Sequence, residues 1–168
     1  MDLRGYSFKQ HLSDLLLPNN EFYSTVNPAY LNSGGVYVLR SFNDVGQALT
    51  IPRVLDDDRD GILYIGMAKL FCHRTGDLAR SFSSQYRQSK HQTGQRYWSD
   101  ERYQQRYPYE HLEMFMWISD HPATLEQSFF QSYLARFGET PPLNRIWKKG
   151  GIMPPRIILS KPVATSLT

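Results

Sequence analysis

Short apolar runs near the middle of the chain predict two neighbouring strands. Residues 36–39 and 62–65 are rich in β-branched and aromatic side chains, and residues typical of turns flank both runs. An Asp-rich segment separates them, and Gly66 ends the second run. We therefore predict that the two strands pair as a hairpin with a long connection.

Helical spacing predicts one helix before these strands and one after them. The sequence from Ser7 fits a capping box, and apolar residues then recur at helical spacing until Pro18. These apolar residues are Phe8, Leu12, Leu15 and Leu16. After Gly66 the period changes, because Leu70, Arg74 and Leu78 are spaced by four and share one face of a helix.

The second half of the chain predicts a third strand and a long helix. Apolar residues at alternate positions from Leu112 to Ile118 are typical of a strand. Thr124 then opens a second capping box, and Gly138 stands where a helix-ending glycine is expected. The apolar face of this helix consists of Leu125, Phe129, Phe130, Tyr133, Leu134 and Phe137. Residues 156–159 predict one more short strand.

Together these elements predict an α/β (α+β) fold with a small mixed β-sheet flanked by helices. With 168 residues, 40% of them apolar and 21% charged, the chain fits one globular domain spanning residues 1–168. A single cysteine, Cys72, excludes an intramolecular disulfide and favours a reducing cytoplasm. The sequence lacks an apolar run of the roughly 18 residues that span a bilayer and an N-terminal signal-peptide core. We therefore expect a cytoplasmic protein that does not enter membranes.

Five short motifs stand in an order that resembles the GIY-YIG nuclease superfamily. Gly35-Val36-Tyr37 is similar to the first family motif, and Tyr64-Ile65-Gly66 is similar to the second. Arg74 stands eight residues after Gly66, where the family places its arginine. Glu126 lies on a later helix, as the family's metal-binding glutamate does, and Asn144 matches the asparagine that closes the family core. The resemblance covers residues 35–144, and the order of the motifs is far more specific than any one of them.

Two features depart from the family pattern. The connection between Tyr37 and Tyr64 is longer than the family norm, which makes it one of two insertions in the core. The histidine that many members carry four residues after the arginine is Leu78 here. His73, His91 and His111 are the candidates to replace it.

The resemblance implies a metal-dependent DNA endonuclease that leaves 5′-phosphate and 3′-hydroxyl ends. Its implied catalytic residues are Tyr37, Tyr64, Arg74, Glu126 and Asn144. Glu126 would hold Mg²⁺ or Mn²⁺, because magnesium often uses only one or two protein carboxylates besides substrate phosphate and water. The planar, permanently charged guanidinium of Arg74 suits a phosphate transition state. Tyr37 would act as general base or orient the attacking water, with Tyr64 supporting it.

The second insertion, residues 80–109, interleaves basic and aromatic residues and favours contact with nucleic acid. Its predicted contact residues are Arg80, Arg87, Lys90, His91, Arg96, Arg102 and Arg106. Its aromatic residues are Phe82, Tyr86, Tyr97, Trp98, Tyr103, Tyr107 and Tyr109. A basic C-terminal segment, residues 145–168, adds Lys148 and Lys149. The alternative is a solvated loop with a small aromatic satellite core.

Each candidate also has a structural interpretation. Tyrosines within apolar strands are usually core residues, and Glu126 in a first helical turn would stabilise the helix dipole. Asn144 could cap a turn. Residues 56–61 resemble the first half of an EF-hand loop, but Met67 occupies the position of its bidentate glutamate, which favours an Asp-Gly turn.

Three functions therefore compete. The first is a DNA endonuclease, which would act as a homodimer if its target is a palindromic duplex. The second is a nucleic-acid-binding module with the same fold but no cleavage. The third is a protein-interaction domain, which would not retain DNA at low salt.

Overall fold

The computed structural model describes residues 3–16, 28–86 and 91–144. Within these ranges the chain forms four strands and five α-helices. In chain order they are β1 (Phe8–His11), α1 (Pro28–Asn32), β2 (Gly35–Ser41), β3 (Ile62–Ala68), α2 (Phe71–Phe82), α3 (Gln92–Trp98), α4 (Glu101–Arg106), β4 (Leu112–Ile118) and α5 (Pro122–Phe137). Among the helices described, none is long and apolar enough to cross a membrane.

The strands form one sheet in the order β1-β4-β2-β3. The α/β class, the β2–β3 hairpin and the third strand, β4, are all confirmed. The sheet is antiparallel in each of its three pairings, where a mixed sheet was expected. The reason is the strand order: β3 and β4 run in the same direction, but β2 lies between them, so they cannot form a parallel pair.

The predicted N-terminal helix is wrong. Phe8–His11 form β1, which pairs with β4 and alternates half-buried and exposed side chains. Ser7 does not cap a helix, because its hydroxyl oxygen accepts a hydrogen bond from the Ile118 N–H. Pairing covers an edge of β4 that would otherwise expose unpaired backbone groups, and this tertiary gain outweighs the local helical pattern. Further along the predicted helix, Ser13–Leu16 form a short 3₁₀ helix.

Helices cover both faces of the sheet. On one face Tyr37, Leu39 and Leu63 pack with residues of α2, including Phe71 and Leu78. The opposite face packs against α5. Its residues alternate along β2 as the pleat requires, whereas a register shift between β2 and β3 interrupts the alternation on β3. The residues that meet there are Val36, Val38, Ile62, Ile65, Tyr133 and Phe137. Thus α2 and α5 reach the outer edge of β3 from opposite sides.

The two long helices differ from their predicted limits. α2 buries Leu78, but Leu70 precedes the helix and is 41% exposed, so the predicted face of α2 is only partly correct. α5 begins at Pro122, two residues before the predicted cap at Thr124, because proline is well suited to the first turn. Gly138 ends α5 in the left-handed conformation with φ 76°, as expected.

The long connection between β2 and β3 is fixed by a buried carboxylate. Asp58 accepts hydrogen bonds from the Tyr133 hydroxyl at 2.9 Å and from the N–H groups of Asp60 and Ile62. Burial raises the pKa of Asp58 although these hydrogen bonds favour its ionised form. The chain turns at residues 59–60, in agreement with the Asp-Gly turn. The connection is therefore attached to α5 through Asp58 and Tyr133.

Candidate active site

A cleft of about 390 Å³ opens at the outer edge of the sheet, where β3 ends between α2 and α5. Tyr64 of β3, Arg74 of α2 and Glu126 of α5 line this cleft. Three residues that are far apart in the sequence, and that were all predicted to be catalytic, therefore meet in one place. The remaining lining residues are Met67, Ala68 and Lys69.

Tyr37 is fully buried beside Tyr64, with their ring centroids 5.9 Å apart. Tyr64 and the Arg74 guanidinium both lie within reach of its hydroxyl and interact with it, but neither contact has the geometry of a well-formed hydrogen bond. Burial and then the neighbouring Tyr64 raise the pKa of Tyr37 well above its ordinary value, while the Arg74 charge opposes this shift. The phenol is therefore protonated at neutral pH. Buried polar atoms without partners are rare and call for an explanation.

Gly66 allows the two tyrosines to approach each other. It pairs with Tyr37 across the β2–β3 ladder. A Cβ atom on residue 66 would lie 2.8 Å from the Tyr37 hydroxyl oxygen and 2.7 Å from a ring carbon of Tyr64. Any side chain at this position would displace both rings, which explains why the second motif ends in glycine.

Glu126 is half-buried, and its position argues against a purely helix-capping role. The first turn of α5 contains no acidic residue, because the helix starts at Pro122 and Glu126 lies beyond that turn. Burial raises the pKa of the Glu126 carboxyl, whereas the Met67 backbone N–H and the Arg74 charge act in the opposite direction. The side chain is therefore held at the cleft by β3 and faces the Arg74 guanidinium.

Asn144 is bound to the outer edge of β3 and does not line the cleft. Its amide oxygen accepts from the Ile65 N–H at 2.9 Å, and its amide nitrogen donates to the Ile65 carbonyl at 2.8 Å. The N–H of Leu143 donates to the Leu63 carbonyl at 2.9 Å. These contacts take the place of a neighbouring strand along the second motif, Tyr64-Ile65-Gly66. They favour a positioning role for Asn144 over direct participation in chemistry.

We expect Asn144→Ala to lower the free energy of unfolding by about 1–3 kcal/mol, because it leaves two half-buried backbone groups without partners. Asn144→Asp retains the acceptor but places a carboxylate against the Ile65 carbonyl, so it should not restore stability. Chemical denaturation measures both effects. Asn43→Ala, in an exposed turn, is the control for loss of a local side-chain hydrogen bond. Equal stability of Asn144→Ala and the parent protein would contradict this role.

The three candidate histidines occupy different places. His73 is exposed on α2 and lies with Arg74 along a second, adjoining cleft. His91 is buried at the start of α3, and burial followed by the Arg74 charge lowers its pKa to about 4. His111 faces Asp44 at 3.1 Å and packs beside Phe42. His73 and His91 are thus near Arg74, and His91 is neutral and too buried for the predicted contact with nucleic acid.

The described part of the 80–109 insertion is helical and not a loop, but its aromatic residues pack together as the alternative expected. α3 and α4 add their aromatic side chains to the core that covers β2 and α2. Tyr97 donates its hydroxyl to the Tyr107 carbonyl at 2.9 Å, and the Trp98 indole donates to the Ser81 carbonyl at 3.0 Å. Phe82, Tyr97 and Tyr107 are buried, whereas Trp98, Tyr103 and Tyr109 pack around them. These six rings therefore contribute to packing.

Several basic residues of this insertion already make contacts within the chain. Arg96 is half-buried and donates to the Leu143 carbonyl, so it supports the segment that carries Asn144. Arg80 pairs with Asp77 and Arg102 with Asp100, each at 2.5 Å, while Arg106 is exposed beside the Tyr107 ring. The Arg102 contact lowers the pKa of Asp100 to about 2. Arg87, Lys90, Lys148, Lys149 and the predicted strand at 156–159 lie outside the described residues.

Lys69 is a charged residue of the cleft that the sequence patterns do not predict. It is exposed, follows β3 directly and shares the cleft with Arg74 and Glu126. A basic residue three positions after Gly66 was the available signal. With Glu126 ionised, two cations and one carboxylate line the cleft, which leaves a net positive charge for a phosphate.

The donor set fits a hard divalent cation that takes most of its ligands from substrate and water. Within the described ranges, no group of three or more His, Cys, Asp or Glu side chains could hold a metal ion. Of the residues with a described position, Glu126 is the one carboxylate that lines the cleft. This is sufficient for Mg²⁺, which often binds through one or two protein carboxylates together with phosphate oxygens and water.

Comparisons with known proteins leave the family open. No family model matches the chain, and no solved structure gives a significant match. A curated insulin-like peptide receptor from Branchiostoma lanceolatum is 34% identical over 64 residues. That match covers 38% of this chain and 5% of the receptor, so the chain spans only a small part of the relative's length. The argument for function therefore rests on the site.

Proposed function

We propose that this protein is a metal-dependent DNA endonuclease of the GIY-YIG type, which hydrolyses phosphodiester bonds to 5′-phosphate and 3′-hydroxyl ends. One observation carries the proposal: Tyr64, Arg74 and Glu126 come from three different elements and line the same cleft. The buried hydroxyl of Tyr37 lies beside Tyr64 and Arg74. A site that only binds nucleic acid has no need for the carboxylate of Glu126 beside two cations.

Each residue has a role that follows from its chemistry. Glu126 would hold Mg²⁺ or Mn²⁺, and the bound ion would neutralise charge on the phosphate and acidify water. The Arg74 guanidinium would bind the phosphate oxygens with two parallel N–H groups as negative charge increases on them. Lys69 would attract the phosphate as an exposed point charge.

Tyr37 acts as a hydrogen-bonding group in this proposal. Its raised pKa keeps the hydroxyl protonated at neutral pH. The lone pairs of the hydroxyl oxygen would accept a hydrogen bond from the attacking water and hold the water in place. A general-base role requires additional positive charge near the phenol before it loses its proton. Tyr64 supports the Tyr37 ring and lines the cleft above it.

The direct test is incubation of the protein with supercoiled plasmid and with single-stranded oligonucleotides in Mg²⁺, in Mn²⁺ and in EDTA. We expect cut products with either metal and none in EDTA. DNA ligase should rejoin nicked duplex products, because it requires 5′-phosphate and 3′-hydroxyl ends. Retention of DNA at low salt without cleavage would instead favour the non-catalytic binding module, and no retention would favour a protein-interaction domain.

Arg74→Lys should reduce the single-turnover cleavage rate by about 10²-fold, the scale of losing one preorganised charge-stabilising donor. Lysine retains the charge but not the planar two-donor geometry, so the DNA affinity should change little. The measurements are single-turnover cleavage and DNA affinity in EDTA. Arg59→Lys, on an exposed turn away from the cleft, is the matched control. A large loss of affinity with an unchanged cleavage rate would make Arg74 a binding contact only.

A further inference from the structure

A second cleft, of about 270 Å³, adjoins the first along α2 and shares Lys69 and Arg74 with it. Its other lining residues are Leu70, His73 and Asp77. We propose that this second cleft binds the base or sugar of the nucleotide next to the scissile phosphate. The inference rests on the proposed nuclease function and adds the path of the DNA strand across the site.

The shared residues place a phosphate between the two clefts. Consecutive nucleotides are joined by one phosphate, and the two side chains common to both clefts, Lys69 and Arg74, are both cations. A strand whose scissile phosphate lies near Glu126 would therefore continue past Lys69 towards Leu70 and His73. The strand would follow the first two turns of α2.

The chemistry of the second cleft suits a nucleoside better than another phosphate. Leu70 is 41% exposed and offers an apolar surface that a sugar or base could cover. His73 offers a flat ring that can stack on a base. Asp77 would repel a phosphate, but its carboxylate oxygens can accept hydrogen bonds from base amino groups. That carboxylate is held at 2.5 Å by Arg80.

The volume of the second cleft limits the size of the group that it can hold. Pockets that enclose a whole small ligand have volumes of about 300–1,000 Å³, so a cleft of about 270 Å³ fits only part of a nucleotide. Free nucleosides should therefore bind weakly, and the contact should matter mainly when the phosphate beside it is already bound.

The test uses short oligonucleotides in which one abasic nucleotide is moved along the strand. Single-turnover cleavage shows which phosphodiester is cut and therefore how far the abasic nucleotide lies from the cut. Affinity in EDTA measures binding without cleavage. With the parent protein, an abasic site next to the cut should reduce binding and cleavage by about tenfold, the scale of one lost stacking contact. In a Leu70→Ala, His73→Ala double variant this loss should disappear, because the base no longer has a partner. Both residues are exposed, so the variant should fold.

Val45→Ala, a change of an exposed apolar residue on a distant turn, is the control and should keep the abasic penalty. The same penalty in the double variant as in the parent protein would overturn the second-cleft proposal. So would cleavage by the parent protein with no penalty at any position. A position-specific binding penalty that disappears in the double variant, without cleavage by the parent protein, would support a nucleoside site and overturn the nuclease function. Failure to retain any oligonucleotide would overturn both.

Discussion

Glu126→Gln is expected to retain the fold and DNA binding while cleavage in Mg²⁺ or Mn²⁺ falls by about 10³-fold or more. The amide has nearly the same shape and can still accept from the Met67 N–H. It lacks the charge that a hard cation requires, and the loss corresponds to several kcal/mol of metal-assisted stabilisation. Single-turnover cleavage gives the rate, while affinity in EDTA and thermal unfolding report on binding and folding.

Glu110→Gln makes the same chemical change at an exposed position outside the cleft, so it should leave the cleavage rate unchanged. If Glu126→Gln cuts at the parent rate, Glu126 does not hold the metal and the proposed mechanism loses its central residue. Cleavage lost together with DNA binding would instead indicate that the substitution disturbs the cleft.

The raised pKa of Glu126 also sets the pH dependence. The metal needs the ionised carboxylate, and burial shifts protonation to a higher pH than that of an ordinary glutamate. Cleavage should therefore decline as pH falls through this raised pKa. Because metal and proton compete for the same group, more Mg²⁺ should move the acid side of the pH–rate profile to lower pH. An acid limb that does not move with Mg²⁺ would contradict metal binding at Glu126.

The central elements of the fold follow from local pattern, whereas the N-terminal strand depends on tertiary contact. Apolar composition and alternation located β2, β3 and β4 because their side chains are buried on the pleated sheet. The segment from Phe8 has helical spacing, yet it pairs with β4. No local signal in Phe8–His11 indicates that β4 has an open edge, so its strand conformation cannot be read from its own residues.

In the candidate site, too, local sequence does not reveal what depends on tertiary contact. Motif order was sufficient to predict Tyr64, Arg74 and Glu126, which the fold brings to one cleft. Lys69 has no motif of its own, and its importance appears only because β3 ends beside α2 and α5. In the insertion, aromatic and basic residues have the composition of a binding surface, but Tyr97 is buried and Arg96 binds the Leu143 carbonyl. Composition gives the residue types, and only packing determines which side chains are free.

Tyr37→Phe is expected to make the protein more stable and less active. The Tyr37 hydroxyl is fully buried and lacks a well-formed hydrogen bond, because Tyr64 and Arg74 reach it only with poor geometry. A buried polar group that is left unsatisfied costs about 1–3 kcal/mol. Removing it should raise the free energy of unfolding by about 1 kcal/mol, because the ring itself remains packed. If the hydroxyl orients the attacking water, cleavage should fall by about 10²–10⁴-fold, the scale of losing an acid–base group.

Tyr30→Phe is the matched control, because Tyr30 is equally buried but its hydroxyl is hydrogen-bonded to Thr75 at 2.5 Å. That substitution removes a satisfied hydrogen bond and should lower stability by about 1 kcal/mol without affecting cleavage. Denaturation should therefore move in opposite directions for the two variants, and only Tyr37→Phe should lose cleavage. A Tyr37→Phe protein that is less stable and fully active would identify Tyr37 as an ordinary core residue. A functional role for the first motif requires that the Tyr37 hydroxyl lower stability and yet be needed for cleavage.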